Sequence, residues 1–349
     1  MGAIEKHRCS RGVALRAKLC GGVALLLGVI TLAFPSSCSA ADKESWPPEV
    51  QEIQYLSQAD QTEQPALYYD SGSDKEKPLL VALHTWSGNY KQSMSIPYFE
   101  WCIDKDWVCI HPNFRGPNKT PEAMGSELVV QDILSAVDYA KENGKIDETR
   151  IYLVGVSGGG HASILMAGRA PEVWTAVSAW VPISDIERWH RECIEHGERY
   201  DQDIRDSVGG NPLNSQEARD ECHKRSPIAY LSAAKGLPLD INAGIHDGHT
   251  GSVPVGQTLR AFNEVAEPKD RISEKWIEKV ERTEKIPEGS EFEGEDPLYG
   301  DKKVLFRKES GKARVTLFEG GHEIIYDAAL KWLEGQKQVN GDRIPSPLV

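Results

Sequence analysis

Gly155-Val156-Ser157-Gly158-Gly159 is a G-x-S-x-G set between the apolar run IYLVGV (151–156) and a small-residue stretch, Gly160, His161, Ala162 and Ser163. A strand that turns sharply into a helix lifts a serine Oγ clear of the sheet, and small neighbours let backbones approach closely. The helix N-terminus and the Gly158 N–H would stabilise negative charge on a carbonyl oxygen under attack. The pattern predicts Ser157 as a nucleophile, against the alternative of a structural glycine-rich turn. A serine needs a base, and His322 in Phe318-Glu319-Gly320-Gly321-His322-Glu323 follows the last apolar run, where a loop reaches the top of a sheet. His84 ends a strand, His111 starts a loop and His161 sits inside the nucleophile helix, while His190, His196 and His223 lie in a polar stretch. The orienting acid is expected after an intervening strand, which selects Asp247 behind 238–246. Asp240, inside that run, is expected to be structural. The acid fixes the imidazole tautomer and the imidazole removes the serine proton. A second oxyanion donor is expected just after the run PLLVALH (78–84), from the backbone N–H of Thr85 or Trp86.

The elements that must carry these residues alternate. Residues 52–56 and 66–69 read as short strands, and 78–84, 107–111, 151–156, 175–181, 239–245 and 314–318 as further strands, mostly buried. A helix is expected over 127–142, with Ile133, Ala136, Val137 and Ala140 on one stripe, and another around 324–333. Such alternation means an α/β fold, a mostly parallel central sheet with helices on both faces. Two stretches interrupt it. Residues 185–225 read as a small helical cap, and the charged stretch 264–302, with Ile272, Trp276 and Val280 at helical spacing, as a second cap or a solvated surface helix.

With 349 residues, 40% hydrophobic and 27% charged, the chain has the composition of a globular protein. A formal charge of −13 repels phosphate backbones, so nucleic acid is not expected as a partner. Lys6, Arg8, Arg11, Arg16 and Lys18, the apolar run 21–34 and small residues around Ala40 read as a signal peptide over 1–40, with an uncleaved anchor as the alternative. That predicts a secreted or periplasmic protein with no membrane insertion after cleavage. Residues 41–77 lead into the catalytic domain at 78–338, and 339–349 form a tail. Cys102, Cys109, Cys193 and Cys222 lie beyond the leader. Proximity favours Cys102–Cys109 and Cys193–Cys222 disulfides, with buried free thiols as the alternative. No CxxC or HExxH occurs, and neither a metal nor another cofactor is expected.

The order Ser157, Asp247, His322 is that of the α/β-hydrolase triad, and the stretch 78–333 resembles the catalytic domain of the prolyl oligopeptidase family. Asn113-Phe114-Arg115-Gly116 is similar to that family's N-x-R-G loop, and Ile146-Asp147-Glu148-Thr149-Arg150-Ile151 to its V-D-x-x-R-I lead-in. Ser226-Pro227-Ile228, Pro238, Val253-Pro254 and Gly320-Gly321-His322 match further motifs. Ala243 stands where the family usually has histidine, and Val-Pro comes three residues late. Residues 41–77 are too few for the family's peptide-screening β-propeller, and no Glu-Glu pair is set to hold a peptide N-terminus. The resemblance implies the α/β-hydrolase fold and a serine acyl-enzyme. The expected substrate is a small ester, an acylated carbohydrate or a short peptide, with Trp86, Arg115 and Trp189 as candidate substrate contacts. The two indoles could equally be packed cap residues. A true dipeptidyl or prolyl peptidase is the nearest alternative, and an inactive binding protein on a hydrolase scaffold is the alternative of another class.

Overall fold

A computed structural model describes residues 45–338. The leader over 1–40 and the tail at 339–349 lie outside the described residues. The chain opens with a hairpin, β1 (Gln51–Leu56) and β2 (Glu63–Tyr69), then runs through β3 (Lys77–Leu83), α1 (Ile96–Lys105), β4 (Val108–Pro112), α2 (Glu127–Asn143) and β5 (Ile146–Val156). It continues with α3 (Gly158–Arg169), β6 (Ala176–Trp180), and the helices α4 (Ile186–His196), α5 (Tyr200–Val208) and α6 (Gln216–Arg225). Then come β7 (Leu239–Gly244), α7 (Val255–Val265), α8 (Glu274–Thr283), β8 (Val304–Ser310), β9 (Ala313–Phe318) and α9 (Tyr326–Glu334).

One nine-stranded sheet results, in the order β1-β2-β4-β3-β5-β6-β7-β9-β8. The pairs from β4 through β3, β5, β6 and β7 to β9 are parallel, while β1, β2 and β8 are antiparallel additions at the two edges. All residues of β3, β6 and β7 are buried, which requires cover on both faces; β3 shows this as an apolar run, while β7 buries Asp240 and Asn242 with its apolar residues. This is the α/β fold expected. β8 was not expected, because its Arg307, Lys308 and Glu309 hide the alternation of an edge strand.

The cap stretch folds as α4, α5 and α6 around a small core of its own, which includes Ile186, Trp189, Cys193, Ile204, Cys222 and Trp86. In the charged stretch, α8 is helical only from Glu274, and it buries Ile277 and Val280 while Ile272 precedes it. Arg260 on α7 ties it down through Glu274 and Glu281 at 2.5 and 2.9 Å. It is a packed helix with a solvated outer face.

The disulfide expectation needs correction. Cys102, Cys109, Cys193 and Cys222 are all free and buried. They fill apolar space as small hydrophobes: Cys102 and Cys109 lie in the main core and Cys193 and Cys222 in the cap core. Burial pushes the Cys222 thiol up to about 12 and Cys102 well above the ordinary thiol range, so both stay protonated. Among the described residues, no helix is long and apolar enough to cross a membrane.

Candidate active site

Because β5, β6, β7 and β9 are parallel neighbours, the segments leaving them emerge along one edge of the sheet. Ser157 leaves β5, Asp247 follows β7 and His322 follows β9. Ser157 caps α3 with φ 60° and ψ −119°, a conformation strained for a residue with a Cβ. Its N–H donates to the Trp180 carbonyl at 2.9 Å and its own carbonyl accepts from His161 N–H at 2.8 Å, so both sides of the turn are pinned. The turn tolerates only glycine around it. A Cβ on Gly155 would strike the Gly159 carbonyl, and one on Gly159 would strike the carbonyl of Leu83 on β3.

Asp247 and His322 meet directly. The His322 Nδ1–H donates to Asp247 Oδ2 at 2.7 Å, and Asp247 Oδ1 accepts the Gly248 and Val253 N–H groups at 3.0 and 3.1 Å. The carboxylate is fully buried while the imidazole is 24% exposed, so the acid faces inward and the base faces the open edge. An ionised carboxylate only accepts, which fixes the proton on Nδ1 and leaves the Nε2 lone pair free. The two loops can close because β7 ends in glycine: a Cβ on Gly244 would strike the Gly320 and Gly321 carbonyls. Ile245 N–H then donates to Phe318 O at 2.9 Å, and His246 N–H to Gly320 O at 3.0 Å.

For a developing oxyanion, Gly158 offers the first N–H of α3, which has no acceptor within the helix. The Trp86 backbone nitrogen lies against Gly158, where an added Cβ would strike it. Thr85 is not available: its N–H donates to Gln92 Oε1 at 3.0 Å and its hydroxyl to the same atom at 2.9 Å. Gln92 in turn donates to Ser95 Oγ at 2.8 Å, so it fixes the loop that presents Trp86. No motif marks Gln92, and only its reach back to Thr85 reveals it.

The three candidate substrate contacts, Trp86, Trp189 and Arg115, are engaged within the protein. Trp86 is 2% exposed and Trp189 1%; they pack edge to face at 4.6 Å. The indole N–H groups donate to Asp203 Oδ2 at 3.2 Å and to Ser252 O at 2.8 Å. These rings join the oxyanion loop to the cap core. The Arg115 guanidinium is spent on Asp132 (2.7 Å) and Asp60 (2.8 Å), bracing α2 against the β1–β2 turn. Asp240 is structural, bonded to Ser178, Asn242 and Arg314.

His84, His111 and His161 are poor bases. Burial pulls His84 and His161 down to about 4 and His111 to about 3, and their rings rest on carbonyls or on Ser95. A cavity of about 870 Å³, lined by Glu127, Arg169, Arg225 and Tyr230 among others, shares no residue with the Ser157, Asp247, His322 set. A smaller one of about 550 Å³ reaches Asp247 from the side of α4 and α8, between Arg188, Glu192, Glu281 and Arg282. Among the described residues, no group of three or more His, Cys, Asp or Glu side chains is arranged to hold a metal ion.

The model of the prolyl oligopeptidase family matches residues 95–277, more than half of the sequence. The chain belongs to the prolyl oligopeptidase family. Acylamino-acid-releasing enzyme 2 of Oryza sativa subsp. japonica is 24% identical over 196 residues, 51% of this chain and 24% of that protein. The acylamino-acid-releasing enzyme of Arabidopsis thaliana is 29% identical over 200 residues, 49% of this chain and 24% of that protein. Feruloyl esterase B of Thermothelomyces thermophilus is 26% identical over 122 residues, 32% of this chain and 40% of that protein. The alignments therefore span less than half the length of each of these relatives. Among solved structures, the Pyrococcus horikoshii acylaminoacyl peptidase has TM-score 0.50 at 19% identity, over 62% of this chain and 34% of its own. A Mycobacterium tuberculosis puromycin-hydrolyzing peptidase has TM-score 0.51 at 14% identity, over 81% and 38%. At such identities these structures speak for the fold alone.

Proposed function

We propose that the protein hydrolyses ester or short-peptide acyl bonds outside the cytoplasm through an acyl-enzyme on Ser157. His322 acts as general base and then general acid, Asp247 holds its tautomer, and the Gly158 and Trp86 N–H groups receive the oxyanion. The observation that carries this reading is the Asp247–His322 hydrogen bond of 2.7 Å, made where β7 and β9 end, with β6 alone between β7 and β5, whose end holds Ser157 at φ 60° at a helix N-terminus. In the first step Ser157 Oγ attacks the acyl carbon as its proton passes to His322 Nε2. The tetrahedral oxyanion collapses, the leaving alcohol or amine takes that proton, and water repeats the sequence to release the acid. The basic and apolar leader at 1–40 supports export.

Esters rank ahead of peptides. An alkoxide leaves more readily than an amine, and the cavities of about 870 and 550 Å³ are lined in part by charged residues and do not include Ser157. The likeness to feruloyl esterase B supports esters, and the likeness to acylamino-acid-releasing enzymes supports the peptidase reading. The test compares kcat/KM on acetyl and aryl esters with that on Gly-Pro- and Ala-anilides, using Ser157→Ala as control. Esters are expected to be cleaved at least as fast. A preference for anilides of tenfold or more, about 1.4 kcal/mol of discrimination, would make the protein a peptidase.

A further inference from the structure

His246 immediately precedes the candidate acid, and its ring is gripped from both sides. Nδ1 meets Glu284 Oε2 at 2.7 Å, and Nε2 meets Glu319 Oε1 at 2.6 Å. Glu319 stands three residues before His322, on the loop leaving β9. Glu284 is the left-handed C-cap of α8, at φ 52° and ψ 34°. One imidazole thus ties the acid loop, the base loop and the charged stretch together.

Ionised carboxylates accept and never donate, and a neutral imidazole has one N–H to give. Two short contacts to two carboxylates therefore require the imidazolium, with charge-assisted bonds on both sides. The neighbouring groups favour the cation. Bonds to Glu319 first, and then to Glu284, raise the His246 pKa above the ordinary histidine value. Another titratable group at this cluster is His249, with Nδ1 3.6 Å from Glu284 Oε1 and Nε2 2.6 Å from the Glu281 carbonyl, and the Lys302–Glu323 pair holds the base loop through the Gly321 N–H. Thr250 Oγ1 donates to the His246 carbonyl at 3.3 Å and closes the turn that carries Asp247.

We propose that His246 is a positioning residue that, as an imidazolium clamped between Glu284 and Glu319, sets the registry of the Asp247 loop against the His322 loop. The proposal rests on the reading of Asp247 and His322 as the acid–base pair. It gives the charged stretch a task, since α8 supplies Glu284 to the clamp. It also sets the alkaline behaviour. His246 is protonated in the clamped form, so the clamp is complete below its raised pKa and loses one of its two bonds as pH rises through it.

The experiment is the kcat–pH profile of the full chain on a p-nitrophenyl ester, with thermal midpoints measured alongside. His246→Gln is expected to lower kcat about tenfold, the scale of a sub-ångström misplacement of catalytic groups, with KM within twofold, and to abolish the alkaline limb. Glu284→Gln keeps an acceptor but removes a charge, so the limb should survive and move to lower pH. If the His246→Gln protein is folded and keeps wild-type kcat and the same alkaline limb, the clamp does not act on the site. Should His246→Gln lose stability while its folded fraction keeps wild-type kcat and profile, the residue is structural only, and the proposal fails as well. Ser157→Ala and His322→Ala separate the layers. If either retains turnover the triad reading itself is wrong, whereas inactive Ser157 and His322 variants beside an unaffected His246→Gln reject the clamp alone.

Discussion

Asp247→Asn isolates the step on which the mechanism depends. The two oxygens of Asp247 are not equivalent: Oδ1 accepts two backbone N–H groups at 3.0 and 3.1 Å, while Oδ2 accepts only from His322. An asparagine of the same shape must place its carbonyl oxygen where the two N–H groups point. The reverse orientation sets an NH2 against two donors and forfeits both bonds, about 1 kcal/mol each plus the cost of burying them unpaired. The amide NH2 therefore faces His322 Nδ1, which must now accept, and the ring proton moves to Nε2. An imidazole in that tautomer cannot take the Ser157 proton. The expected loss is on the order of 10⁴-fold in kcat, about 5 kcal/mol of transition-state stabilisation, with little change in thermal midpoint. Asp240→Asn is the matched control, because it is equally buried and leaves Arg314, 2.5 Å away, without its counter-ion. That change should cost about 3 kcal/mol of stability and leave kcat of the folded protein intact. Both variants are assayed by kcat on p-nitrophenyl acetate and by thermal melting. A well-folded but inactive Asp240→Asn, or an Asp247→Asn within tenfold of wild type, would refute the assignment of the acid.

Arg115→Met should lower the thermal midpoint by leaving the Asp132 carboxylate, whose side chain is fully buried, without its partner, about 3–5 kcal/mol; kcat and KM of the folded fraction should stay within twofold. A raised KM with unchanged stability would return Arg115 to the substrate site. Cys102, Cys109, Cys193 and Cys222 should be alkylated only after unfolding, since all four are buried thiols. Non-reducing peptide mapping that finds Cys193 joined to Cys222 would contradict this.

The parallel core of the sheet was legible because buried strands write themselves as unbroken apolar runs, PLLVALH and IYLVGV among them. The G-x-S-x-G segment was legible because close backbone packing admits only glycine at Gly155 and Gly159, and that requirement shows in the text. Contacts made by side chains across long separations were not. Gln92 takes the Thr85 N–H, and Arg115 reaches Asp60 across the fold, with no local pattern to announce either. Trp86 and Trp189 read equally as substrate contacts or as packed cap residues, because the sequence does not reveal that the cap has a core of its own, which buries both. For the cysteines, nearness along the chain found neighbours in Cys102 and Cys109, whose thiols meet in the main core, but it does not say whether two thiols are joined, and all four are free. His246 was passed over as the residue before the acid, because its two carboxylate partners lie 38 and 73 residues away.

The central claim, a nucleophilic Ser157 activated at the top of β5, is tested most directly by covalent trapping. The purified protein is treated with a fluorophosphonate probe and the adduct is located by peptide mass spectrometry, in wild type and in Ser157→Ala. The account predicts one adduct on Ser157 that develops in step with the loss of turnover, and neither labelling nor turnover in the variant. An adduct on Ser163, or a Ser157→Ala protein that still labels and turns over, would contradict it.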